Sequence, residues 1–273
     1  MGKFDGILLC SDLDGTLLRE DKSISEKNRQ ALEYFKQNGG LFSIMTGRMS
    51  FVLEPTLKAT QPNVPVGFGN GLGIYDFENN QKLSLRFVDP SVLAIVEQVY
   101  QDFPEIGVEI ATHDTIYCVR VNETVKKHLS DENIPLVMTD VKNFSLPIAK
   151  ILFAAPPEVL ENFIPQISKE KDAEKFQLLR SDKLYFEILP KGVGKGELLL
   201  QLAELLGIDK KKTIAVGDND NDVSMLLSAQ LGIAVENAAP SAKAAADLFA
   251  PSNENDAIAF IIDELDSGRI KVG

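Results

Sequence analysis

Short apolar runs alternate with an amphipathic stretch along the first part of the chain. Apolar residues fill most of 6–10 and 41–45, and residues 25–38 between them carry apolar side chains at helical spacing. The runs predict buried strands, and the spacing predicts a helix. Ser25 can cap the start of this helix, and Gly39 and Gly40 follow its end. The order predicts a β-α-β unit whose two strands run parallel.

The pattern changes in the middle of the chain and returns after Pro190. A strand at 66–68 and a hairpin over 73–77 and 82–87 precede the change. The central part mixes helices at 89–103, 123–129 and 158–168 with strands at 107–111, 115–120, 148–154, 175–180 and 183–189. The last part has helices at 195–206 and 221–227 and strands at 213–216, 232–235 and 247–250. We therefore predict an α/β domain interrupted by an α+β insertion, in which helices cover one face of an antiparallel sheet.

Polar clusters follow three of the predicted parallel strands. They are DLDGT at residues 12–16, TGR at 46–48 and GDNDND at 217–222. Ligands of open parallel sheets bind beyond the carboxyl ends of the strands, so we expect the three segments to meet in one crevice. Each segment could also be an ordinary loop with an Asx turn. The match of all three favours a site.

Up to four carboxylates would crowd this crevice, those of Asp12, Asp14, Asp218 and Asp222. Each like-charged pair at ~4 Å repels by roughly 4 kcal/mol at an effective dielectric constant of 20. A cation among them would relieve this repulsion. Oxygen ligands without His or Cys suit a hard ion, and Mg²⁺ held by carboxylates and a phosphate fits best. We therefore predict Mg²⁺ as the cofactor.

The spacing of Asp12 and Asp14 fits covalent chemistry on a phosphorus atom. Side chains two apart in an extended chain point the same way, so one carboxylate can attack while the other moves protons. The hydroxyls of Thr16 and Thr46 are expected to donate to a phosphoryl oxygen. Lys195 begins a predicted helix, where the helix dipole favours a phosphate.

The overall charge limits the partners. The formal net charge is −12, from 40 acidic and 28 basic residues, which disfavours nucleic acid and anionic membranes. A small phosphorylated metabolite would be repelled too, unless a local cation receives it. Cys10 and Cys118 lie in apolar runs, which predicts buried free thiols and a reducing compartment. Without the pattern of a signal peptide or a membrane span, we expect a cytoplasmic protein, and we expect a monomer.

These segments, in their order and spacing, resemble those of the haloacid dehalogenase superfamily. The insertion resembles the C2B-type α/β cap of the Cof-type hydrolases, and Asn70-Gly71 matches the Asn-Gly step common in the family. The resemblance covers essentially the whole chain. It implies a Rossmann-like, doubly wound catalytic core at 1–83 and 188–273 and an inserted cap at 84–187 that sets specificity. Gly194 and Asn219 depart from the usual pattern, which affects loop geometry and no reacting group.

The resemblance also implies roles for individual residues. It makes Asp12 the nucleophile that forms an aspartyl-phosphate, and Asp14 the general acid and then the general base. The implied Mg²⁺ ligands are Asp12, the backbone carbonyl of Asp14 and Asp218, with Asp222 as a further acidic anchor. The implied phosphate-binding residues are Leu13, Thr46, Gly47, Lys195 and Asn221. The implied function is a magnesium-dependent phosphatase that hydrolyses phosphate monoesters of small metabolites such as sugar phosphates.

Two alternatives use the same segments. A hexose-phosphate phosphomutase would return the phosphoryl group to the sugar, and it needs a basic cluster in the insertion, where Lys and Arg are scattered. A non-catalytic phosphoacceptor switch would gain nothing from an acid-base residue such as Asp14. The two histidines, His113 and His128, have no role in this scheme.

Overall fold

The computed structural model describes residues 2–170 and 173–273. In chain order the strands are β1 (Leu8–Ser11), β2 (Leu41–Ile44), β3 (Val66–Phe68), β4 (Gly73–Asp76), β5 (Gln81–Lys82), β6 (Gly107–Ala111), β7 (Ile116–Arg120), β8 (Lys150–Ala154), β9 (Phe176–Asp182), β10 (Tyr185–Pro190), β11 (Thr213–Gly217), β12 (Leu231–Val235) and β13 (Leu248–Ala250). The α-helices are α1 (Glu26–Gln37), α2 (Glu54–Thr60), α3 (Val92–Asp102), α4 (Glu123–Asp131), α5 (Pro157–Ile167), α6 (Lys195–Leu205), α7 (Val223–Ser228), α8 (Pro240–Ala245) and α9 (Ala257–Asp266).

The chain divides into two units. The core unit comprises the residues up to Met49, Leu53–Ser84 and Gly194–Gly273, and the inserted unit comprises Ser50–Val52 and Leu85–Val193. Strand β10 runs across residue 187, where the sequence analysis ends the insertion.

A five-stranded parallel sheet lies in the core unit, in the order β13-β12-β11-β1-β2. This arrangement confirms the predicted α/β class with a parallel sheet. The last residue of β1, Ser11, is level with Ile44 of β2 and with Val216 of β11. The three polar segments therefore leave neighbouring strands at the same edge of the sheet.

Helix α1 forms where its capping signals predict it. The Ser25 hydroxyl accepts a hydrogen bond from the amide of Asn28 at 3.0 Å, which confirms the predicted N-cap. Leu32 and Phe35 are buried on one face of the helix, as the spacing of its apolar residues requires. Asn28 also links α1 to α9, since its Oδ1 accepts from the amide of Ala259 at 2.9 Å.

The predicted hairpin is shorter than expected. Strands β3, β4 and β5 form a small antiparallel sheet, but β5 ends at Lys82, so the prediction of strand over 82–87 is wrong. The amides of Leu83 and Ser84 both donate to the carbonyl of Ile74, which breaks the regular ladder. The Ser84 hydroxyl also accepts from the Ile74 amide at 3.0 Å.

The inserted unit is built on an antiparallel sheet in the order β7-β6-β8-β10-β9. Its apolar core joins Val96 of α3 and Phe163 of α5 to Ile151 and Phe153 of β8. Helices thus pack on an antiparallel sheet, as the sequence predicts.

Both cysteines are free and buried, as the apolar runs around them predict. Burial raises the pKa of the Cys118 thiol to about 12 and raises that of Cys10 still further. Both thiols are therefore uncharged near neutral pH. Within residues 2–170 and 173–273, no helix combines the length and the apolar character that crossing a membrane requires.

Candidate active site

The loop after β1 turns sharply behind Asp12. The Asp12 amide donates to the carbonyl of Val216 at 2.9 Å, so the loop begins level with the end of β11. The carbonyl of Leu13 then accepts from the amides of Thr16, Leu17 and Leu18, at 3.3, 3.1 and 2.8 Å, and the Leu13 side chain is fully buried. The side chain of Leu13 thus anchors the loop in the core, while Asp12 stays at its start.

Gly15 brings the first and last polar segments close together. Its φ is +83°, a left-handed conformation that glycine adopts without steric penalty. A Cβ atom at this position would lie 2.6 Å from Oδ2 of Asp218. The sequence predicts that the Thr16 hydroxyl donates to a phosphoryl oxygen. In the structure it donates instead to Oδ1 of Asp218, at 2.7 Å.

Lys195 joins two carboxylates from opposite ends of the chain. Its Nζ lies 2.5 Å from Oδ1 of Asp12 and 2.6 Å from Oδ1 of Asp222. The side chain is fully buried at the first turn of α6, with Gly194 as N-cap. The two carboxylates outweigh the effect of burial and raise the pKa of Lys195, so the ammonium is charged.

Asp222 organises the loop after β11. Its Oδ2 accepts from the amides of Asp218 and Asn219, at 2.9 and 3.1 Å, while its Oδ1 accepts from Lys195. Asp222 and Asn219 form a capping box in which each side chain bonds the other's backbone. Both oxygens of Asp222 are therefore already hydrogen-bonded.

Three carboxylates could share a metal ion. One oxygen from each of Asp12, Asp218 and Asp222 lies within 4.8 Å of the others. Burial raises the pKa of Asp218 to about 6, and the charge of Asp222 adds to this rise. Burial also raises the pKa of Asp12, which the ammonium of Lys195 only partly offsets, while Asp222 and Asp218 add to the rise. In both groups burial is the main cause of the raised pKa, and the neighbouring carboxylates are a smaller one.

Asp14, expected as a fourth member of this cluster, has other partners. Arg48 Nε lies 2.9 Å from Oδ2 and Arg48 Nη2 lies 2.8 Å from Oδ1, and Lys22 Nζ donates to Oδ1 at 2.7 Å. Burial alone would raise the pKa of Asp14, but Arg48 and then Lys22 outweigh it and hold that pKa below its usual value. Asp14 is therefore a carboxylate at neutral pH.

Neither of these two cations is among the site residues that the sequence predicts. Arg48 ends the TGR segment at the carboxyl end of β2, and that position was a usable signal. Lys22 has φ +65° in a turn eight residues after Asp14, and no local pattern marks it. Only the folded chain shows that both side chains reach Asp14.

The remaining predicted residues lie around Asn70. The Asn221 side chain donates to Oδ1 of Asn70 at 3.0 Å, and a Cβ at Gly47 would lie 2.8 Å from Nδ2 of Asn70. Thr46 is buried, its amide donates to the carbonyl of Gly67 at 3.1 Å, and its carbonyl accepts from the Asn70 amide at 3.0 Å. Asn70 thus connects the second polar segment with the last one.

Comparison with known proteins fits this geometry. A family model described as haloacid dehalogenase-like hydrolase matches residues 9–262. The chain belongs to the haloacid dehalogenase-like hydrolase family. A phosphatase of Bacillus subtilis named for 5-amino-6-(5-phospho-D-ribitylamino)uracil is 30% identical, over 96% of this chain and 98% of its own. The family and its named relatives support a phosphatase as the enzyme class.

Solved structures share the fold over nearly the whole chain. A haloacid dehalogenase-like hydrolase from Bacteroides thetaiotaomicron has a TM-score of 0.82 at 24% identity, covering 95% of this chain and 99% of its own. A Thermotoga maritima protein has a TM-score of 0.79 at 26% identity, covering 98% of each chain. These similarities confirm the family fold that the polar segments indicate.

Proposed function

We propose that this protein is a magnesium-dependent phosphatase that hydrolyses phosphate monoesters of small metabolites through an aspartyl-phosphate. The observation that carries the proposal is the cluster of Asp12, Asp218 and Asp222, two of which contact the ammonium of Lys195. The relative from Bacillus subtilis is named as a phosphatase of a ribitylamino-uracil phosphate, which supports a small phosphate monoester as the substrate class.

The charges of this cluster fit a divalent cation. Three carboxylates and one ammonium leave two formal negative charges, 3 − 1 = 2, when all are ionised. All the candidate ligand atoms are oxygens, which hard cations such as Mg²⁺ prefer. We assign the ion to Asp12, Asp218 and the backbone carbonyl of Asp14, with Asp222 as the acidic anchor of the loop. When bound, Mg²⁺ would neutralise charge on the phosphoryl oxygens.

The proposed reaction has two displacements. Asp12 attacks the phosphorus, the bond to the leaving oxygen breaks, and Asp14 gives that oxygen a proton. Water then attacks the phosphorus of the acyl phosphate while Asp14 accepts its proton, which releases phosphate and restores Asp12. The acid step needs the protonated form of Asp14, so this carboxyl must take up a proton before the leaving group departs.

The transferring phosphoryl group carries its negative charge on three oxygens. We assign their binding to the Thr46 hydroxyl, the ammonium of Lys195, the amides of Leu13 and Gly47, and the side chain of Asn221. Donors fixed before the reaction stabilise charge without reorganising. In the same scheme the inserted unit, predicted as residues 84–187, is a cap that sets substrate specificity.

Turnover of p-nitrophenyl phosphate, with and without Mg²⁺, tests the proposal. We expect Mg²⁺-dependent release in the wild type and a loss of about 10⁴-fold or more in Asp12→Asn, because the nucleophile is gone. Asp220→Asn is the matched control, since this exposed aspartate lies on the same loop and has no part in the scheme. It should keep at least half of the activity.

Two results would redirect the proposal. An aspartyl-phosphate that forms at Asp12 and is not hydrolysed would favour the phosphoacceptor switch. Transfer from a hexose bisphosphate to a hexose phosphate faster than transfer to water would favour the phosphomutase. A panel of phosphorylated metabolites compared by kcat/KM then defines the substrate, since this ratio reports transition-state binding.

A further inference from the structure

Arg48 is held rigidly beside Asp14, and the proposed chemistry gives it no part. Its Nε and Nη2 contact both carboxylate oxygens of Asp14, at 2.9 and 2.8 Å. The third nitrogen, Nη1, donates to the hydroxyl of Thr56 on α2 at 3.4 Å. The guanidinium thus links the loop after β1 to α2, and its planar fork fixes the direction of the carboxylate it holds.

The backbone of Arg48 is fixed as well. Its amide donates to the Thr46 hydroxyl at 3.2 Å, and its carbonyl accepts from the amide of Gly69 at 2.9 Å. The side chain is only 17% exposed. Both ends of this long residue are therefore restrained, so the position of its guanidinium is set by the fold.

The contacts of Asp14 distinguish its two oxygens. A carboxylate offers roughly four lone-pair positions, two on each oxygen. Oδ1 accepts from Arg48 Nη2 and from Lys22 Nζ, whereas Oδ2 accepts from Arg48 Nε. Among the residues that the structure describes, these three donors are the side-chain partners of Asp14. One lone-pair position is left, and it is on Oδ2.

We infer that Arg48 is a positioning residue that orients Asp14 so that Oδ2 is the oxygen that exchanges protons with the leaving group and water. The inference rests on the proposed function, in which Asp14 is the acid and the base. Lys22 differs from Arg48, because it is a single flexible donor whose side chain is 58% exposed. Lys22 adds charge to the pair but does not set its direction.

If Arg48 orients Asp14, the loss of rate caused by substituting Arg48 should depend on the leaving group of the ester. As the P–O bond breaks, the electron pair moves to the leaving oxygen and Asp14 supplies the proton. p-Nitrophenolate is stable without that proton, whereas an alkoxide is not. A misdirected Asp14 therefore slows the cleavage of alkyl phosphates much more than that of p-nitrophenyl phosphate.

The test compares kcat/KM for p-nitrophenyl phosphate, phenyl phosphate and glycerol phosphate. This ratio reports the steps up to cleavage of the first P–O bond, so slow hydrolysis of the acyl phosphate does not obscure it. For Arg48→Lys, which keeps the charge and loses the fork, we expect a loss of about 10²-fold on glycerol phosphate and under about 5-fold on p-nitrophenyl phosphate. Asp14→Asn should give the same trend with a larger loss on glycerol phosphate.

Lys22→Met separates orientation from charge. We expect it to lower kcat/KM by the same small factor, under about 3-fold, on all three esters. An equal loss on every ester in Arg48→Lys would overturn the inference and assign Arg48 to phosphate binding. A leaving-group trend in Lys22→Met that matches the one in Arg48→Lys would overturn it as well.

Crystal structures of the wild type and of Arg48→Lys provide a readout that does not need turnover. The inference requires the Asp14 carboxylate to rotate in the variant, and an unchanged orientation would overturn it. A wild type that hydrolyses none of the esters would contradict the proposed function, and the orientation of Asp14 would still decide whether Arg48 positions it.

Discussion

Two buried groups of charged side chains, one in each unit, differ in how their charges are matched. In the core unit, the ammonium of Lys195 contacts Asp12 and Asp222, and Asp218 lies in the same cluster. Negative charge therefore exceeds positive charge. The pKa values of Asp12 and Asp218 are raised, first by burial and then by the neighbouring carboxylates.

In the described part of the inserted unit, the buried carboxylates Glu109 and Glu187 each contact a basic side chain. Lys150 Nζ on β8 lies 3.0 Å from Oε2 of Glu187 on β10, and His128 Nδ1 on α4 lies 2.9 Å from Oε2 of Glu109 on β6. Glu109 and Glu187 both pair across the sheet with Leu152, so the two carboxylates lie in one row of the sheet. Here the protein supplies both signs of charge.

This difference in charge balance indicates a ligand-binding role for the core-unit cluster and a structural role for the pairs of the inserted unit. An excess of buried carboxylates is unfavourable until a cation is added, which is the expected cost of a metal site. Matched pairs need no added ion, and their value lies in holding strands and helices in place. Loss of a cation should therefore lower both activity and stability in the first group and stability alone in the second, and three experiments examine this.

The largest effect is expected for Lys195→Met. It leaves Asp12 and Asp222 without their cation, so the unfolding free energy of the metal-free protein should fall by about 3–5 kcal/mol. Phosphatase activity should fall by about 10²–10³-fold, because the proposed donor to the phosphoryl group is lost. Urea unfolding and kcat measurements check both. Lys243→Met, at an exposed position of α8, is the control, and an equal unfolding midpoint for the two variants would contradict the expectation.

A smaller loss of unfolding free energy, which a second substitution can restore, is expected for Lys150→Met. The substitution leaves Glu187 buried beside an apolar side chain, and we expect a loss of about 3 kcal/mol in urea unfolding. The double substitution Lys150→Met with Glu187→Leu should regain most of this loss, because apolar residues can replace a buried ion pair without a net cost. A double variant that is less stable than Lys150→Met would show that this pair cannot be treated as a matched support.

The smallest effect is a dependence of stability on pH. Burial would lower the pKa of His128, but the hydrogen bond and charge of Glu109 outweigh it and raise this pKa above its ordinary 6.5. Because the folded state favours the protonated ring, His128 contributes stability that is fully present below pH 6.5 and is lost as pH rises through the raised pKa. His128→Gln should remove this dependence and lower stability by about 1–2 kcal/mol near pH 6.

Melting temperatures measured across this pH range check the last prediction. His113→Gln is the matched control, since the His113 side chain is 57% exposed and the imidazole has no buried partner to lose. An unchanged pH profile in His128→Gln would assign the pH dependence to another group and would remove His128 from the matched pairs.

Local patterns predicted most of the fold but not all of it. The apolar runs gave β1, β2 and β11, because a buried strand leaves a direct trace in composition. Helix α9 was not predicted: it starts at an Asp256 in the left-handed region without a side-chain cap, and its apolar residues Ala257–Ile262 hide the helical period. Helix α2 is only seven residues long and also lacks a side-chain cap. Such elements depend on packing rather than on local signals.

The sequence by itself determined the residue types of the site and their place at strand ends, because both are local properties of the chain. The tertiary structure decided the partners. Lys195 reaches Asp12 across 183 residues, and the Thr16 hydroxyl reaches Asp218 across 202. The tertiary structure also decided that Asp14 pairs with Arg48 and does not join the cluster as a fourth carboxylate. Which side chains meet depends on strand order and on distances of a few ångströms, and neither is encoded in any local pattern.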